Sequence, residues 1–278
     1  MEVLRRAILR ALPATALLHL SPALAQEPNK LAQIKQRGVL RVGVTQAPPW
    51  YSKDPKSGEW TSGLGVSMGK AMAKSLGVKF EPVEVTWGTA VAALQGNKMD
   101  IIYVIDATPE RAQAVDFPQA PVLYYSLSVL ARDDLNVKSW ADLNQPNVRV
   151  AVPQASSMDK SLTEFAPKAN IQRYPGNAES IAAFQSGRVD AVCLFHPPLL
   201  AALQKLGTGK IVVPTPVLSA PASAAVRKEA DKAFVNWVDE QVATYYKSGQ
   251  TQKWYEEAIA SFGLDPKKAP PIVKELLK

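Results

Sequence analysis

Short runs of β-branched and other apolar residues alternate along the chain with segments whose apolar residues recur at helical spacing. The apolar runs predict strands over 39–45, 78–85, 100–105, 148–152, 171–174, 191–195 and 210–213. The helical spacing predicts helices over 66–75, 89–95, 157–166, 178–186 and 199–206. Strands that alternate with helices are typical of sheets covered by helices, so the pattern predicts two α/β units in tandem.

The C-terminal part predicts a return of the chain to the first unit. One more extended segment is predicted at 220–226, followed by a single long helix over 231–261 whose apolar residues fall on one face. The chain would then cross between the units twice, near 131–133 and near 215–219. Two connections at one edge make a hinge, and a cleft between two units is a preferred place for a ligand pocket.

The N-terminus has the pattern of a secretory signal. Three arginines within residues 1–10 precede an apolar stretch at 11–20, and small residues follow at 21–25. A spanning helix needs about 20 apolar residues, so a removable signal is favoured over a membrane anchor. We expect cleavage after Ala25 and a periplasmic location, with twin-arginine export left open beside the ordinary route.

The composition argues against nucleic acid as a partner and against a metal or cofactor. The net charge of +7 falls to +5 without residues 1–25, which hold three Arg and one Glu, and the remaining basic residues form no block. Cys193 is the single cysteine, which excludes an internal disulfide. No spacing of His, Cys and carboxylates is typical of metal ligands or of a catalytic triad, so neither a cofactor nor an enzyme is expected.

A series of short segments carries a further signal. They are GVLRVGV (38–44), PPW (48–50), VTWG (85–88), ALQG (93–96), DII (100–102), TPER (108–111), VDF (115–117), GRVDA (187–191), AVRK (225–228) and the ending 249–255. In this order they resemble the polar amino-acid solute-binding proteins of ABC importers, extracellular solute-binding family 3. The resemblance implies a type II periplasmic binding protein fold, with two α/β lobes joined by a two-strand hinge. It assigns 26–131 and 219–278 to lobe 1 and 132–218 to lobe 2.

The resemblance also implies a function. We expect a monomer that closes on a small carboxylate-bearing solute, an amino acid or a similar molecule, and delivers it to a membrane-embedded ABC permease. Two alternatives stay open, since the fold does not decide between them. One is a periplasmic sensor or accessory protein without a transport role, and the other is a dehydratase-like enzyme.

The carboxylate-binding residues are expected on both sides of the cleft. In the family the Arg of TPER grips the ligand carboxylate, and Arg111 stands at that position. A guanidinium offers a planar fork of donors that matches a carboxylate. The segment 154–157 precedes a predicted helix, where amide groups and the hydroxyls of Ser156 and Ser157 suit an anion. Each serine is equally suited to be a simple helix cap, and both roles are compatible.

Aromatic residues are expected to form the walls of the pocket. In relatives, aromatic rings in the cleft sandwich the ligand side chain, and Trp87 stands at one such position. Trp50 lies next to the loop that supplies another ring, and Ala47 replaces the usual aromatic residue on that side. The alternative for either Trp is a place in the core, because its ring buries a large apolar area.

Departures from the family pattern concern the ligand ammonium. Relatives usually have an Asp five residues after the Asp of GRVDA, where this chain has Phe195 followed by His196. A phenyl ring does not neutralise a buried ammonium. Asp106 replaces a Ser or Thr of relatives, and it either supplies the negative charge from lobe 1 or pairs with Arg111. His196 either donates a hydrogen bond to the ligand, titrates near neutral pH, or is structural.

Overall fold

The computed structural model describes residues 29–276. The predicted signal at 1–25 lies outside the described residues. Within 29–276, no helix combines the length and the apolar character needed to cross a membrane.

Helices and strands alternate along most of the chain, as the sequence pattern predicts. The helices are α1 (Lys30–Arg37), α2 (Leu64–Leu76), α3 (Ala90–Gln95), α4 (Pro109–Ala114), α5 (Trp140–Leu143), α6 (Ser157–Phe165), α7 (Asn177–Gln185), α8 (His196–Leu206), α9 (Ala233–Lys247) and α10 (Gln250–Ala260). The strands are β1 (Val39–Val44), β2 (Ser52–Lys53), β3 (Trp60–Ser62), β4 (Lys79–Glu84), β5 (Ile101–Asp106), β6 (Val115–Asp116), β7 (Leu123–Ala131), β8 (Arg149–Pro153), β9 (Asn170–Tyr174), β10 (Ala191–Phe195), β11 (Lys210–Val212) and β12 (Ser219–Arg227). A single 3-10 turn follows at Lys274–Leu276.

Eight of these strands form one continuous path of pairing that falls into two halves, and β6 and β11 pair beside it with β12 and β7. Lobe 1 is built on the order β4-β1-β5-β12, in which β1 runs parallel to both β4 and β5. Lobe 2 is built on the order β7-β10-β8-β9, in which β8 runs parallel to both β9 and β10. Every residue of β5 and β10 is buried, so each lobe has its core around its own central strands. Strands buried on both faces are typical of parallel sheets covered by helices.

Two long antiparallel strands, β7 and β12, join the halves. In β7 the residues up to Ser126 pair with β12, and those from Leu127 onward pair with β10. The chain therefore changes from one sheet to the other inside a single strand. Strand β7 was not predicted from the sequence, and the lobe boundaries expected at 131/132 and 218/219 stay a prediction.

The C-terminal segment is two helices, and the prediction of a single helix over 231–261 is wrong. Gly249 has φ 76°, a left-handed conformation that an α-helix does not contain, so α9 ends and α10 begins there. Helix α9 contacts α1, and α10 contacts α2, which places both against lobe 1.

A bulge in β5 sets the direction in which this strand ends. Ser223 of β12 pairs with Ile105 and Ala224 pairs with Tyr103, so Val104 is left out of the register. Val104 has φ 57°, which costs a β-branched residue about 1–2 kcal/mol. A bulge re-aims the side chains that follow it, and here the next residues lead to Asp106.

The hydroxyl of Tyr51 stabilises this bulge from the opposite side. It accepts the N–H of Tyr103 at 3.0 Å and donates to the carbonyl of the same residue at 2.8 Å. Tyr51 and Tyr103 are both fully buried. The side chain therefore satisfies two main-chain groups that have no access to water.

Replacing Tyr51 with Phe tests this role. The variant leaves a buried N–H and a buried carbonyl unpaired, so the free energy of unfolding should fall by about 3 kcal/mol. Urea unfolding followed by fluorescence measures the loss. Tyr174→Phe is the matched control, because its half-buried hydroxyl donates only to the Gln172 side chain, at 2.9 Å. An equal loss in the two variants would contradict the role given to Tyr51.

His196 lies at the point where β7 passes between the lobes. Its Nδ1 accepts the N–H of Ser126 at 3.3 Å, and its Nε2 is buried without a hydrogen-bond partner among the described residues. Burial lowers the pKa of His196 to about 4, because the charged imidazolium is poorly solvated there. The side chain is therefore neutral in the folded protein over most of the accessible pH range.

The lowered pKa of His196 predicts a pH-dependent stability. Below pH 6.5 the unfolded chain takes up a proton that the folded protein accepts only near pH 4, so protonation favours unfolding. The free energy of unfolding should fall across this window by about 3 kcal/mol more in the wild type than in His196→Gln. Urea titrations from pH 4 to pH 7 give both curves, and parallel curves would refute the assignment.

Candidate functional site

The predicted site residues of lobe 1 gather where its parallel strands end. Trp50 follows β1, Trp87 follows β4, and Asp106 is the last residue of β5. Because these strands run parallel, their carboxyl ends meet at one edge of the sheet, the usual place for a ligand in an open α/β fold. The bulge at Val104 lies directly before this edge.

Lobe 2 contributes the corresponding edge from the other side. Phe195 is the last residue of β10, and residues 154–156 connect β8 to α6. Ser156 caps α6: its Oγ accepts the N–H of Asp159 at 3.1 Å and donates to the Pro153 carbonyl at 2.6 Å. Ser157 is the first residue of this helix.

The two edges enclose a narrow cavity. Its volume is about 20 Å³, room for about one water molecule. Residues from both lobes line it: Trp50, Trp87, Val104, Ile105, Asp106, Arg111, Tyr125, Ser156, Ser157, Met158, Asn177, Phe195 and Pro198. Seven of the eight predicted ligand-binding residues are among them. A wider part of the cleft, of about 590 Å³, lies on the Arg111 side and shares Trp87, Arg111, Ser156 and Ser157 with this cavity.

Arg111 presents a guanidinium without an anionic partner. Helix α4 positions it, since the Thr108 side chain caps this helix and accepts the N–H of Arg111 at 3.3 Å. The guanidinium donates to two main-chain carbonyls, those of Asp106 at 3.2 Å and Trp87 at 3.4 Å. It forms no ion pair with any carboxylate of the described residues. Burial lowers the pKa of Arg111 and the nearby negative charge of Asp106 raises it again, so the group stays charged.

Asp106 is buried and receives hydrogen bonds only from neutral groups. The Tyr125 hydroxyl donates to Oδ1 at 2.5 Å, and the Ser157 hydroxyl donates to Oδ2 from lobe 2. Burial raises the pKa of Asp106, which these two hydroxyls and the charge of Arg111 partly offset. Of the two roles left open for Asp106, the pairing of its carboxylate with Arg111 is absent here, because only the main-chain carbonyl of Asp106 accepts from the guanidinium. Its role towards a ligand ammonium stays a prediction.

Four aromatic rings, those of Trp50, Trp87, Tyr125 and Phe195, form part of the remaining wall. Trp50 stacks on Tyr255 with ring centroids 6.0 Å apart and meets Tyr125 edge-on at 6.2 Å. Phe195 stacks on Tyr125, with the two ring centroids 3.6 Å apart. Trp87 faces the cavity as well, so both tryptophans are at once largely buried and part of the site.

Direct contacts join the lobes around the cavity. Trp87 Nε1 donates to Asn177 Oδ1 at 3.0 Å, and the Lys160 ammonium pairs with Glu110 at the exposed mouth. Gly88 lies so close to Ala155 that a Cβ atom at position 88 would be 3.0 Å from the Cβ of Ala155. The lobes are therefore in a closed arrangement.

Six of the thirteen lining residues were not predicted from the sequence, among them the hydrogen-bonding side chains of Tyr125 and Asn177, and one predicted residue lies elsewhere. Tyr125 was missed because β7 was not predicted, and Asn177 has no motif beyond its place at the start of α7. His196 does not line the cavity; its ring contacts the main chain of Ser126 instead. Its neighbour Phe195 does line it.

The site is suited to binding a small polar molecule. It offers one cation, one carboxyl group and several hydroxyl groups, enclosed by aromatic rings. Such convergent polar groups in an apolar cleft are typical of a small-molecule site. Within residues 29–276, no group of His, Cys, Asp and Glu side chains is arranged to hold a metal ion.

Comparisons with known proteins show the family to which this fold belongs. The profile of the bacterial extracellular solute-binding proteins, family 3, matches residues 40–260. The glutamine-binding protein of Geobacillus stearothermophilus is 30% identical over 171 residues, which cover 59% of this chain and 63% of that protein. The chain thus spans about three fifths of the length of that relative.

Solved structures resemble the chain over a greater length. An ancestral amino-acid-binding protein, a precursor of cyclohexadienyl dehydratase, is 38% identical with a TM-score of 0.74, covering 82% of this chain and 99% of the other. The cysteine-binding protein of Campylobacter jejuni is 27% identical with a TM-score of 0.77, covering 88% and 99%. The expectation of a two-lobed α/β fold is confirmed. On the family match and these structures, the chain belongs to the bacterial extracellular solute-binding proteins, family 3.

Proposed function

We propose that this protein is the periplasmic binding component of an ABC importer and that it holds a small carboxylate-bearing solute, an amino acid or a similar molecule, between its lobes. The single observation that carries the proposal is Arg111: a guanidinium at the cleft whose hydrogen-bond partners among the described residues are main-chain carbonyls. A ligand carboxylate would supply the missing negative charge and would fit the fork of N–H groups. The opposite wall would contribute the serine hydroxyls and the first-turn amides of α6.

Ligand entry requires the lobes to separate. The closed cavity of about 20 Å³ is far smaller than a usual small-molecule site of roughly 300 Å³ or more. The strands β7 and β12 are the connections about which such a movement would occur, since β7 pairs with both lobes. A ligand that contacts both lobes then shifts the population towards the closed form, which is the form offered to the permease.

The relatives support an amino acid as the ligand but do not indicate which amino acid it is. Those described above bind glutamine in one case and cysteine in another. A thermal-shift screen of the twenty L-amino acids, followed by isothermal titration calorimetry, identifies the ligand. If none of them shifts the melting temperature, the proposal of an amino-acid receptor fails.

A dehydratase is the second candidate, favoured by one observation. Asp106 is a buried carboxyl group with a raised pKa in the cleft, a suitable general acid, and one structural relative is a precursor of a dehydratase. Among the described residues that line the cavity, however, the other ionisable groups are Arg111 and Tyr125. The amino acid should therefore be recovered unchanged after incubation, and an aromatic product formed from a cyclohexadienol would favour the enzyme.

A sensor without a transport role would bind the same ligand, so a binding measurement alone does not distinguish a sensor from the binding component of an importer. Deleting the gene should abolish uptake of the radiolabelled ligand by intact cells if the protein serves an importer. Normal uptake in the deletion strain would favour a sensor or accessory role.

Arg111 provides the direct test of the proposed site. Arg111→Ala should weaken binding of the amino acid at least about 100-fold, because it removes a buried charged partner. Arg111→Lys should weaken it by about 10-fold, since the charge stays and the fork is lost. Calorimetry measures both. Arg188→Ala, at an exposed position of lobe 2, is the control and should bind as the wild type does. Unchanged affinity in Arg111→Ala would refute the site.

A further inference from the structure

The charges of the cavity are separated in an unusual way. Among the described residues that line it, Arg111 carries the one positive charge and Asp106 the one carboxyl group. The two do not pair through their side chains, because the guanidinium donates to main-chain carbonyls and the carboxyl group accepts from hydroxyls. Each charge is thus left without an opposite charge in direct contact.

Asp106 is the more costly of the two to bury. Its exposed fraction is 8%, and no Lys, Arg or His of the described residues forms an ion pair with it. Hydroxyl groups stabilise a carboxylate less than a cation does, so an ionised Asp106 is poorly compensated. The most effective partner that is missing is therefore a small cation with several N–H donors.

A free amino acid carries both of the missing charges on neighbouring atoms. We infer that Asp106 binds the α-ammonium group of the ligand from lobe 1 while Arg111 binds its α-carboxylate, so that the two residues select zwitterionic amino acids. This inference rests on the proposed function. It goes further by assigning the selection for an ammonium group to one residue of this chain.

In this proposal the ligand ammonium replaces one of the two hydroxyl groups that donate to Asp106. Tyr125 belongs to β7, and its hydroxyl donates to Oδ1 of Asp106, which fixes the plane of the carboxyl group. Ser157 belongs to lobe 2 and occupies Oδ2, so this bond breaks when the lobes separate. The ammonium takes the place of the Ser157 hydroxyl on Oδ2, and that hydroxyl becomes free to donate to the ligand carboxylate.

The ammonium group of the bound ligand also keeps the Asp106 carboxyl group ionised. Burial raises the pKa of the carboxyl group, while the groups that face it, Arg111, Tyr125 and Ser157, act in the opposite direction or are neutral donors. An ammonium at hydrogen-bond distance lowers the pKa further, because it stabilises the ionised form. The ligand and the ionised carboxylate therefore stabilise each other.

Matched ligand pairs test the inference. The first member is the amino acid that binds most tightly in the panel of twenty, and the second is the acid in which hydrogen replaces its α-ammonium group. For L-glutamine this acid is 4-carbamoylbutanoate, and for L-cysteine it is 3-sulfanylpropanoate. Calorimetry on the wild type should show the amino acid binding about 100-fold more tightly than its partner.

Asp106→Asn should abolish this preference. The amide keeps the shape of the side chain and can still bond to Tyr125 and Ser157, so the variant should lose about 100-fold in affinity for the amino acid and under about 3-fold for the acid. Asp106→Ser is the second variant, with the same expected pattern, and melting curves confirm that each variant folds. Asp116→Asn is the control for loss of a lobe 1 carboxylate, because Asp116 pairs with Lys232 outside the cavity.

Each other result has a definite meaning. Equal losses for both ligands in Asp106→Asn would overturn the inference and leave Asp106 as a group that only stabilises the closed lobes. A wild type that binds the two members equally would overturn it as well, while the carboxylate site at Arg111 would stand. A wild type that binds no member of any pair would remove the proposed function, and the inference with it.

Discussion

The structure depends on the burial of two opposite charges that lie near each other without pairing. Arg111 is held by the main-chain carbonyls of Asp106 and Trp87, and the carboxyl group of Asp106 is held by the hydroxyls of Tyr125 and Ser157. Neutral hydrogen bonds orient both groups but compensate neither charge fully. In a site of this kind the side chains are held in place, but their charges lack opposite charges in contact. This combination favours a charged ligand over water.

The framework that produces this geometry begins some distance from the cleft. The fully buried hydroxyl of Tyr51 satisfies both main-chain groups of Tyr103, and this allows Val104 to adopt a left-handed conformation inside a strand. The resulting bulge lies two residues before Asp106, the last residue of β5. Strain in the main chain near a site is thus offset by a hydrogen bond in the core of lobe 1.

Much of this architecture could be predicted from the sequence. The parallel strands are short apolar runs with clear boundaries, and the segments that follow them carry the residues that meet at the cleft. The strand β7 was missed because its tyrosines and serines interrupt the apolar pattern, and with it Tyr125 was missed too. The break between α9 and α10 was missed because the apolar spacing continues across Gly249, while the left-handed φ of that glycine is a property of the folded chain.

The site residues likewise include some that could be predicted from the sequence and some that could not. Arg111 and the tryptophans at 50 and 87 could be placed in the cleft by resemblance to a family pattern, which fixes position along the chain. The hydrogen-bond partners of Asp106 could not, because one comes from β7 and the other from the opposite lobe. His196 was placed in the site because it follows Phe195, yet at the start of α8 its ring contacts the main chain of β7 instead of the cavity.

The contact between Gly88 and Ala155 has a mechanical consequence. A Cβ atom at position 88 would be 3.0 Å from the Cβ of Ala155 and 3.2 Å from the carbonyl oxygen of Gln154. A methyl group and main-chain atoms do not yield as the end of a long side chain would. Any side chain at position 88 would therefore wedge the two halves apart, and the bare glycine is what permits this degree of closure.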